Sequence, residues 1–231
     1  MRHICYVTGT RADFGLMSST LTKINQSTEL KLSVAITGMH LDLKFGATMH
    51  EVIDFGFDTH IVESGLEDGT RLAMVNAVAS QMSGFSELFI SLKPSVILLL
   101  GDRGEMLAAA VAALYLNIPV VHIHGGELSG TVDESIRHAI SKLSHFHFVA
   151  TERSKERLVR MGEKEANVFI TGAPGLDDIV NVDIPIKSAL IDFLAIDNPT
   201  KMLAVVFHPV VQDAEMAGEQ ISVLLSALPP N

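Results

Sequence analysis

The stretch HIHGGELSGTVDESIRHAISKLSHFHF, residues 122–148, decides the fold predicted for this chain. The apolar run Ile118–Ile123 leads into a glycine pair and Glu127, a helix is predicted from Asp133 to Ser144, and a second apolar run begins at Phe146. Strand, turn, helix and strand in this order are typical of a parallel sheet joined by helices. The stretch also holds three acids, five histidines and one arginine. It therefore predicts both a fold class and a polar site.

The same alternation of strand and helix continues on both sides of this stretch. Short apolar runs predict seven strands: His3–Val7, Leu32–Thr37, Thr59–Val62, Val96–Leu100, Val120–His124, Phe146–Ala150 and Val168–Thr171. Amphipathic segments between them predict six helices: Gly15–Asn25, Ala47–Phe55, Arg71–Leu92, Met106–Leu116, Asp133–Ser144 and Ser154–Met161. Seven such strands predict a complete doubly wound, Rossmann-like α/β domain with helices on both faces.

The pattern changes after Thr171. We predict a Rossmann-like domain over residues 1–172, a connection with a helix near Ile186–Leu194 over 173–199, and the first βα unit of an incomplete second domain over 200–231. That unit would be a strand at Met202–Phe207 and a helical stretch near Asp213–Leu228. One strand and one helix cannot bury a core alone, so the tail packs on the first domain or opens a second one.

Composition excludes several classes of protein. The 231 residues are 48% apolar, which supplies a substantial core. The 27 acids outnumber the 17 bases, and no basic run offsets them, so a nucleic-acid partner is not predicted. The single cysteine, Cys5, lies in the first apolar run; this excludes a disulfide framework and suits a reducing cytoplasm. The longest apolar stretch, Met106–Ile123, is interrupted by Asn117 and Pro119, so no membrane segment is predicted.

Polar loops follow four of the predicted strands. They are Thr8–Arg11, Thr37–His40, Gly101–Arg103 and Gly125–Glu127. Parallel strands bring their carboxyl ends to one edge of a sheet, so the four loops are expected to form one site. The first loop, in TGTRADFG, matches neither a Walker A motif nor the spacing GxGxxG, which disfavours a nicotinamide-dependent dehydrogenase.

Several polar residues have a structural interpretation beside the functional one. Asp133 and Glu134 open a helix, where the helix dipole favours acids. Asp102 follows an apolar run, which favours function, although it also suits an ion pair with its neighbour Arg103. Among the histidines, His40 and His145 lie beside loops and are the better catalytic candidates.

The two histidine pairs are candidates for a metal site. His122 with His124, or His145 with His147, together with Glu127, offer zinc ligands in principle. The chain contains no HExxH motif and no matched cysteine set. We therefore predict no metal site.

The segments TGTRADFG, LLLGDRGEMLAAAVAA, HIHGGELSGTVDESIRHAISKLSHFHFVATERS and FHPV together resemble the UDP-N-acetylglucosamine 2-epimerases, in particular the UDP-hydrolysing branch of sialic-acid and legionaminic-acid biosynthesis. The resemblance spans Arg2 to about Val211. It implies a two-domain architecture like that of the GT-B glycosyltransferases, with the active site in the cleft between two Rossmann-like domains. This chain would then hold the first domain and the start of the second.

The resemblance also implies roles for individual residues. Contacts to the nucleotide diphosphate are implied for Arg11, Arg103 and His208. Acid/base chemistry is implied for Asp102, Glu127 and Asp133. Contacts in the sugar pocket are implied for His40 and His145.

The reaction implied is anti elimination of UDP from UDP-N-acetylglucosamine to a 2-acetamidoglucal, then hydration to N-acetylmannosamine, without a metal or redox cofactor. Three alternatives stay open: a hydrolysing epimerase of UDP-2,4-diacetamido-2,4,6-trideoxyglucose, a GT-B-like glycosyltransferase, and an inactive nucleotide-sugar-binding fragment. The resemblance further implies a dimer or tetramer. Because family members continue through a full second domain, we expect weak or no turnover by this chain alone.

Overall fold

A computed structural model describes residues 1–65, 70–130, 132–181, 183–196, 202–207 and 215–228. The chain divides into two compact units, Met1–Asn181 and Val182–Asn231. The strands of the first unit are β1 Arg2–Thr8, β2 Leu30–Ile36, β3 Asp58–Ile61, β4 Val96–Leu100, β5 Val120–Ile123, β6 Phe146–Val149 and β7 Val168–Ile170. Its helices are α1 Arg11–Gln26, α2 Met49–Ile53, α3 Arg71–Leu92, α4 Gly104–Tyr115, α5 Val132–Leu143, α6 Glu152–Arg160 and α7 Gly175–Asn181.

The seven strands form one parallel sheet in the order β3-β2-β1-β4-β5-β6-β7. Strand β1 lies inside the sheet next to the middle strand β4, with Cys5 beside Ser33 of β2 on one side and Ile97 of β4 on the other. The strand order reverses between β1 and β4, which makes the carboxyl ends of these strands the switch point where doubly wound sheets bind ligands. The predicted doubly wound, Rossmann-like α/β fold is thereby confirmed.

Alternate residues of the central strands enter two separate cores. Cys5 and Val7 of β1 and Leu99 of β4 pack with α3, α4 and α5 on one face of the sheet. Tyr6 of β1 and Leu98 of β4 pack with α1 and α2 on the other face. Because both faces are covered, the strands are apolar at nearly every position instead of alternating with polar residues.

All seven predicted strands of the first unit are present, with ends displaced by at most two residues. The largest displacement of a helix start is in α1, which begins at Arg11 where the apolar pattern predicted Gly15. The earlier start follows from Thr10, whose hydroxyl accepts from the backbone N–H of Asp13 and caps the helix. Helix α7, in the segment predicted as a connection, was missed.

In the second unit the structure describes α8, Lys187–Phe193, and α9, Ala217–Ser226. The predicted helices at Ile186–Leu194 and Asp213–Leu228 contain them. The strand predicted at Met202–Phe207 is wrong, because the described residues 202–207 form no strand. A strand needs a neighbour for its backbone hydrogen bonds, and apolar character alone does not supply one. The domain limits 1–172, 173–199 and 200–231 stay predictions.

Across the described part of the chain, no helix combines the length and the apolar character that crossing a bilayer requires.

Candidate active site

The four polar loops lie together at the carboxyl edge of the sheet, as the parallel topology requires. Backbone hydrogen bonds join them in pairs. The N–H of Thr37 donates to the carbonyl of Thr8 at 3.0 Å, and the N–H of His40 donates to the carbonyl of Gly9 at 3.2 Å. On the other side of the switch point, the N–H of Gly101 donates to the carbonyl of Ile123 at 3.1 Å. The expected convergence of these loops is therefore observed.

The loop after β1 is organised by Asp13, a buried carboxylate in the first turn of α1. One of its oxygens accepts from the backbone N–H of Gly9 at 3.1 Å and from that of Thr10 at 2.7 Å. Its other oxygen accepts from the hydroxyls of Thr8 and Tyr6. Burial raises the pKa of Asp13 above its ordinary value, and the hydrogen bonds from Thr8 and Thr10 oppose that rise.

The loop after β4 turns through Gly101, whose φ of +85° lies in the left-handed region that favours glycine. Arg103 follows as the N-cap residue of α4, and its Nε donates to Oε1 of Glu105 at 2.7 Å. The Arg103 side chain remains 41% exposed, whereas that of Glu105 is only 9% exposed. Burial lowers the pKa of Arg103, but the charge and hydrogen bond of Glu105 together with the charges of Asp13 and Asp133 outweigh it, so the pKa is raised.

His40 belongs to the short 3₁₀ helix Gly38–Leu41 after β2 and is fully buried. Its Nε2 lies 3.0 Å from the Thr8 hydroxyl and its Nδ1 lies 2.7 Å from the Thr48 hydroxyl. Burial lowers the pKa of the imidazole, which favours the neutral ring. His40 thus lies at the predicted edge of the sheet, and both of its ring nitrogens are already hydrogen-bonded to protein groups.

Asp102 forms an ion pair with Arg137 of α5 instead of the structural pair with Arg103 that we considered. The side chains of Asp102 and Arg137 are 20% and 13% exposed. Burial raises the pKa of Asp102 and the nearby charge of Asp133 adds to that rise, while the Arg137 guanidinium opposes it. Asp102, Asp133 and Arg137 therefore form one electrostatic group.

Glu127 is held at the same edge by α6. Its Oε1 accepts from the hydroxyl of Ser154, which is itself buried. The preceding Gly126 has a φ of +78°, and a Cβ placed on it would lie 2.5 Å from the carbonyl oxygen of Ser154. The charge of Glu127 also reaches His124, where it opposes the burial that lowers the pKa of this imidazole. Glu127 and His124 are therefore neighbours of the Asp102 group.

His122 has a structural role beneath this edge. Both nitrogens of its buried ring are hydrogen-bonded. Nε2 lies 2.7 Å from the carbonyl oxygen of Gly101, and Nδ1 lies 3.0 Å from the hydroxyl oxygen of Ser141. Burial lowers the pKa of His122 to about 3. The ring is therefore neutral at physiological pH, with Nε2 donating to the carbonyl and Nδ1 accepting from the serine hydroxyl. It ties the loop after β4 to α5.

The structure does not bring every predicted residue to this site. His145 immediately precedes β6, and its Nδ1 accepts from the N–H of Val120 at the amino end of β5. A four-residue strand is about 13 Å long, so His145 lies at the opposite edge of the sheet. Arg11 lies at the correct edge, exposed and paired with Glu51 of α2 at 3.0 Å. His208 lies outside the described residues.

Three residues of the site were missed by the sequence interpretation: Asp13, Glu105 and Arg137. Asp13 lies three residues after Thr10, and this capping-box spacing was readable in the sequence. The positions of Glu105 and Arg137 depend on contacts between elements that are distant in sequence. No local pattern indicates such contacts.

Among the described residues, no three His, Cys, Asp or Glu side chains are placed to hold one metal ion.

A doubly wound α/β sheet whose carboxyl-edge loops carry acids and arginines defines a Rossmann-like domain. A model of the UDP-N-acetylglucosamine 2-epimerase family matches residues 22–231. The chain belongs to this family.

Individual relatives agree with this assignment. The chain is 50% identical to the UDP-N,N'-diacetylbacillosamine 2-epimerase (hydrolyzing) of Legionella pneumophila, over all of this chain and 62% of that protein. It is 36% identical to the UDP-N-acetylglucosamine 2-epimerase of Neisseria meningitidis, over 99% of this chain and 60% of that one. The chain thus spans about 60% of the length of these curated relatives.

The fold is also found in solved structures. The crystal structure of the Neisseria meningitidis UDP-GlcNAc 2-epimerase bound to UDP-GlcNAc matches with a TM-score of 0.68 at 24% identity. The match covers 77% of this chain and 48% of that one. At this level of identity the likeness concerns the fold alone.

Proposed function

We propose that this chain carries the acid/base part of a hydrolysing 2-epimerase that acts on a UDP-linked 2-acetamido sugar. The observation that supports the proposal most is the grouping of Asp102, Glu127 and Asp133 with Arg103 at the switch point. Three carboxylates from separate elements suit a reaction that moves protons to and from carbon, and a cation beside them suits a diphosphate leaving group.

The proposed chemistry has two steps. In the first, a carboxylate takes the proton from C2 of the sugar, the C2–H electron pair becomes the C1=C2 double bond, and the C1–O pair departs with UDP. The product on the enzyme is a 2-acetamidoglucal. In the second, water supplies a hydroxyl to C1 while a carboxyl group returns a proton to the opposite face of C2. The products are UDP and the free C2-epimeric sugar, and no redox change occurs.

The environments of the acids suggest how the work is divided. Asp102 has a pKa raised by burial and by Asp133, which brings it closer to the working pH and makes the carboxylate a stronger base. We assign the removal of the C2 proton to Asp102. Glu127 and Asp133, which approach from β5 and α5, are assigned to protonation of C2 and to activation of water.

Four other predicted residues have an assigned role in the proposal, and one is left out. Arg11, Arg103 and His208 are assigned to the diphosphate. His40 is assigned to the wall of the sugar pocket, where its two hydroxyl partners keep the loops after β1 and β2 in place. His145 is left out, because it lies at the other edge of the sheet.

Between two sugars, similarity favours the diacetylated one. The Legionella relative, named for UDP-N,N'-diacetylbacillosamine, is 50% identical, whereas the Neisseria relative named for UDP-N-acetylglucosamine is 36% identical. The first sugar is the 2,4-diacetamido-2,4,6-trideoxyglucose considered above. We therefore rank it first and retain UDP-N-acetylglucosamine as the alternative substrate.

Proton NMR in deuterated water tests the function and the choice of sugar together. Each UDP-sugar is incubated with the chain and, in parallel, with a chimera that adds the part of the Legionella relative beyond the aligned region. We expect the chimera to release UDP and to place deuterium at C2 of the free sugar, faster with the diacetylated substrate, and the chain alone to turn over weakly or not at all. Asp102→Asn should abolish exchange, and Glu165→Gln, on the far side of the fold, should not.

Other outcomes contradict the proposal in distinct ways. Transfer to an acceptor with C2 still carrying protium would indicate a glycosyltransferase. Binding of the UDP-sugar without exchange, in the chain and in the chimera, would indicate a binding module. Light scattering on the same samples tests the predicted dimer or tetramer.

A further inference from the structure

We propose that Glu105 is a specificity-determining residue of the diphosphate site, because its carboxylate holds the Arg103 guanidinium that a diphosphate must take over. The inference rests on the proposed function, in which Arg103 faces the diphosphate of a UDP-sugar. It adds a second requirement to binding. The ligand has to compete with a carboxylate that belongs to the protein.

The position of Glu105 is built into two other loops. A Cβ on Gly9, after β1, would lie 2.0 Å from Oε1 of Glu105, and a Cβ on Gly38, after β2, would lie 3.3 Å from it. The carboxylate therefore fills the space that two glycines leave open at the switch point. In doubly wound folds, glycines at this point let a phosphate approach the backbone.

The backbone donors of the same loop are also occupied. The N–H groups of Gly9 and Thr10 donate to the carboxylate of Asp13. Such N–H groups at the start of a helix are the usual partners of a bound phosphate. Here two protein carboxylates, those of Asp13 and Glu105, take the donors and the space, so a phosphate is directed outward to the exposed end of Arg103.

Glu105 differs from an ordinary acid in the first turn of a helix. The helix dipole alone explains an exposed carboxylate, and the pair of Arg11 with Glu51 at the same edge is of that kind, with side chains 75% and 47% exposed. Glu105 is 9% exposed, whereas its partner Arg103 is 41% exposed. Water screens both members of the first pair but only the arginine of the second, so the second pair is the stronger one.

Arg103 is suited to change partners. Glu105 contacts its guanidinium, and the charges of Asp13 and Asp133 act on it without a direct contact; all three raise its pKa against the burial that lowers it. It therefore keeps its charge throughout the working pH range. Its Nε is bound to Glu105, while the 41% of its side chain that is exposed offers further N–H donors to a ligand.

The test measures binding of UDP and of inorganic pyrophosphate to the purified chain by titration calorimetry. In Glu105→Gln, one negative charge is removed and Arg103 is released, so both anions should bind about tenfold more tightly. Glu165→Gln, a control whose exposed carboxylate pairs with Lys155 away from the site, should change affinity less than about twofold. The double variant Glu105→Gln with Arg103→Met should lose the gain. Thermal unfolding checks that each variant is folded.

Each result decides the proposal. Unchanged or weaker binding in folded Glu105→Gln would overturn it, as would a gain that persists without Arg103 or an equal gain in Glu165→Gln. Absence of measurable binding in all variants would overturn it too. Pyrophosphate binding needs no turnover. Tighter binding in Glu105→Gln without deuterium exchange in the chimera would therefore retain the role of Glu105 and reject the proposed function, and exchange without tighter binding would do the reverse.

Discussion

Asp102 and Arg137, 35 residues apart in the chain, form an ion pair that joins the loop after β4 to α5. Both side chains are largely buried, so each charge depends on the other for the solvation that water would have supplied. The pair fixes the orientation of the carboxylate to which we assign removal of the C2 proton. Four predictions follow from this pair and from its neighbours, beginning with the arginine.

Arg137→Met should lower the free energy of unfolding by about 1–3 kcal/mol at pH 7, because it leaves the Asp102 carboxylate without its cation. The pKa of Asp102 is already raised, so the carboxyl binds its proton more tightly in the folded chain than in the unfolded one. The stability that this tighter proton binding contributes is fully present below the ordinary pKa of an aspartate. It is lost as pH rises through the raised pKa of Asp102 in the folded chain. The loss caused by Arg137→Met should therefore be smaller at pH 4 than at pH 7 in urea titrations.

Arg157→Met supplies the control for that experiment. Arg157 donates to the carbonyl oxygen of Gly126, which does not titrate. Its loss should destabilise the chain by a similar amount at both pH values. If the free energy of unfolding lost in Arg137→Met is also the same at both pH values, the role of the ion pair is contradicted.

His122 should make the chain less stable in acid. Because the pKa of its imidazole is lowered to about 3, the folded chain excludes a proton that the unfolded chain accepts below its ordinary pKa near 6.5. The stability that the neutral ring contributes is fully present above its ordinary pKa. It is lost as pH falls toward the lowered pKa of the folded chain, at about 1.4 kcal/mol per pH unit. In His122→Gln the dependence of unfolding free energy on pH between 6 and 4 should be shallower by about that slope.

The size of that change is specific to the buried ring. His50, on α2, is exposed. His50→Gln therefore supplies the comparison in which an exposed ring is removed. Equal slopes in the wild-type chain and in His122→Gln would show that His122 does not titrate as described.

Asp13→Asn should lower the free energy of unfolding by about 2–4 kcal/mol. The amide N–H₂ would face either the N–H groups of Gly9 and Thr10 or the hydroxyls of Thr8 and Tyr6, and the charge that strengthens these hydrogen bonds would be lost. Thr70→Ala removes a comparable but exposed cap, the hydroxyl that accepts from the N–H of Ala73, and should lower it by about 1 kcal/mol. Guanidinium titrations compare the two. A smaller effect in Asp13→Asn than in Thr70→Ala would contradict the organising role of Asp13.

Gly126→Ala should destabilise the chain far more than Gly130→Ala. Both glycines have positive φ, +78° and +70°. A Cβ on Gly126 meets the carbonyl oxygen of Ser154 at 2.5 Å, whereas a Cβ on Gly130 meets nothing within 4 Å. Gly130→Ala should lower the thermal unfolding free energy by about 1 kcal/mol, the strain of the left-handed region alone, and Gly126→Ala by at least about 3 kcal/mol. Equal losses of stability in the two variants would contradict the close approach of Gly126 to Ser154 and hence the position of the loop that carries Glu127.

The fold was predictable because its information is local. Each strand of the sheet is an apolar run closed by glycine or polar residues, and parallel connectivity follows from the helices between runs. The same rule failed at Met202–Phe207, where an apolar run has no strand neighbour among the described residues. Periodicity indicates which residues suit a strand, whereas pairing decides whether a strand forms.

The site was predictable only in part. The residues that follow strands, Asp102 and Glu127, were identified because the topology sends strand ends to one edge. His145 was placed wrongly beside them, because it precedes its strand and topology sends it to the other edge. Glu105 and Arg137 were missed since their partners are chosen by packing between elements, which no spacing in the sequence expresses.

The order of the strands also governs the assembly of the molecule during synthesis. Strand β1 is the first to leave the ribosome, yet one of its two neighbours, β4, begins at Val96. The segment β1-α1-β2-α2-β3 can pair locally, but the central seam closes only after about 90 further residues have been made. Contacts of such long range form slowly. The edge that carries Asp102 and Glu127 is therefore completed late, and the residues to which we assign acid/base chemistry come together only after their scaffold has closed.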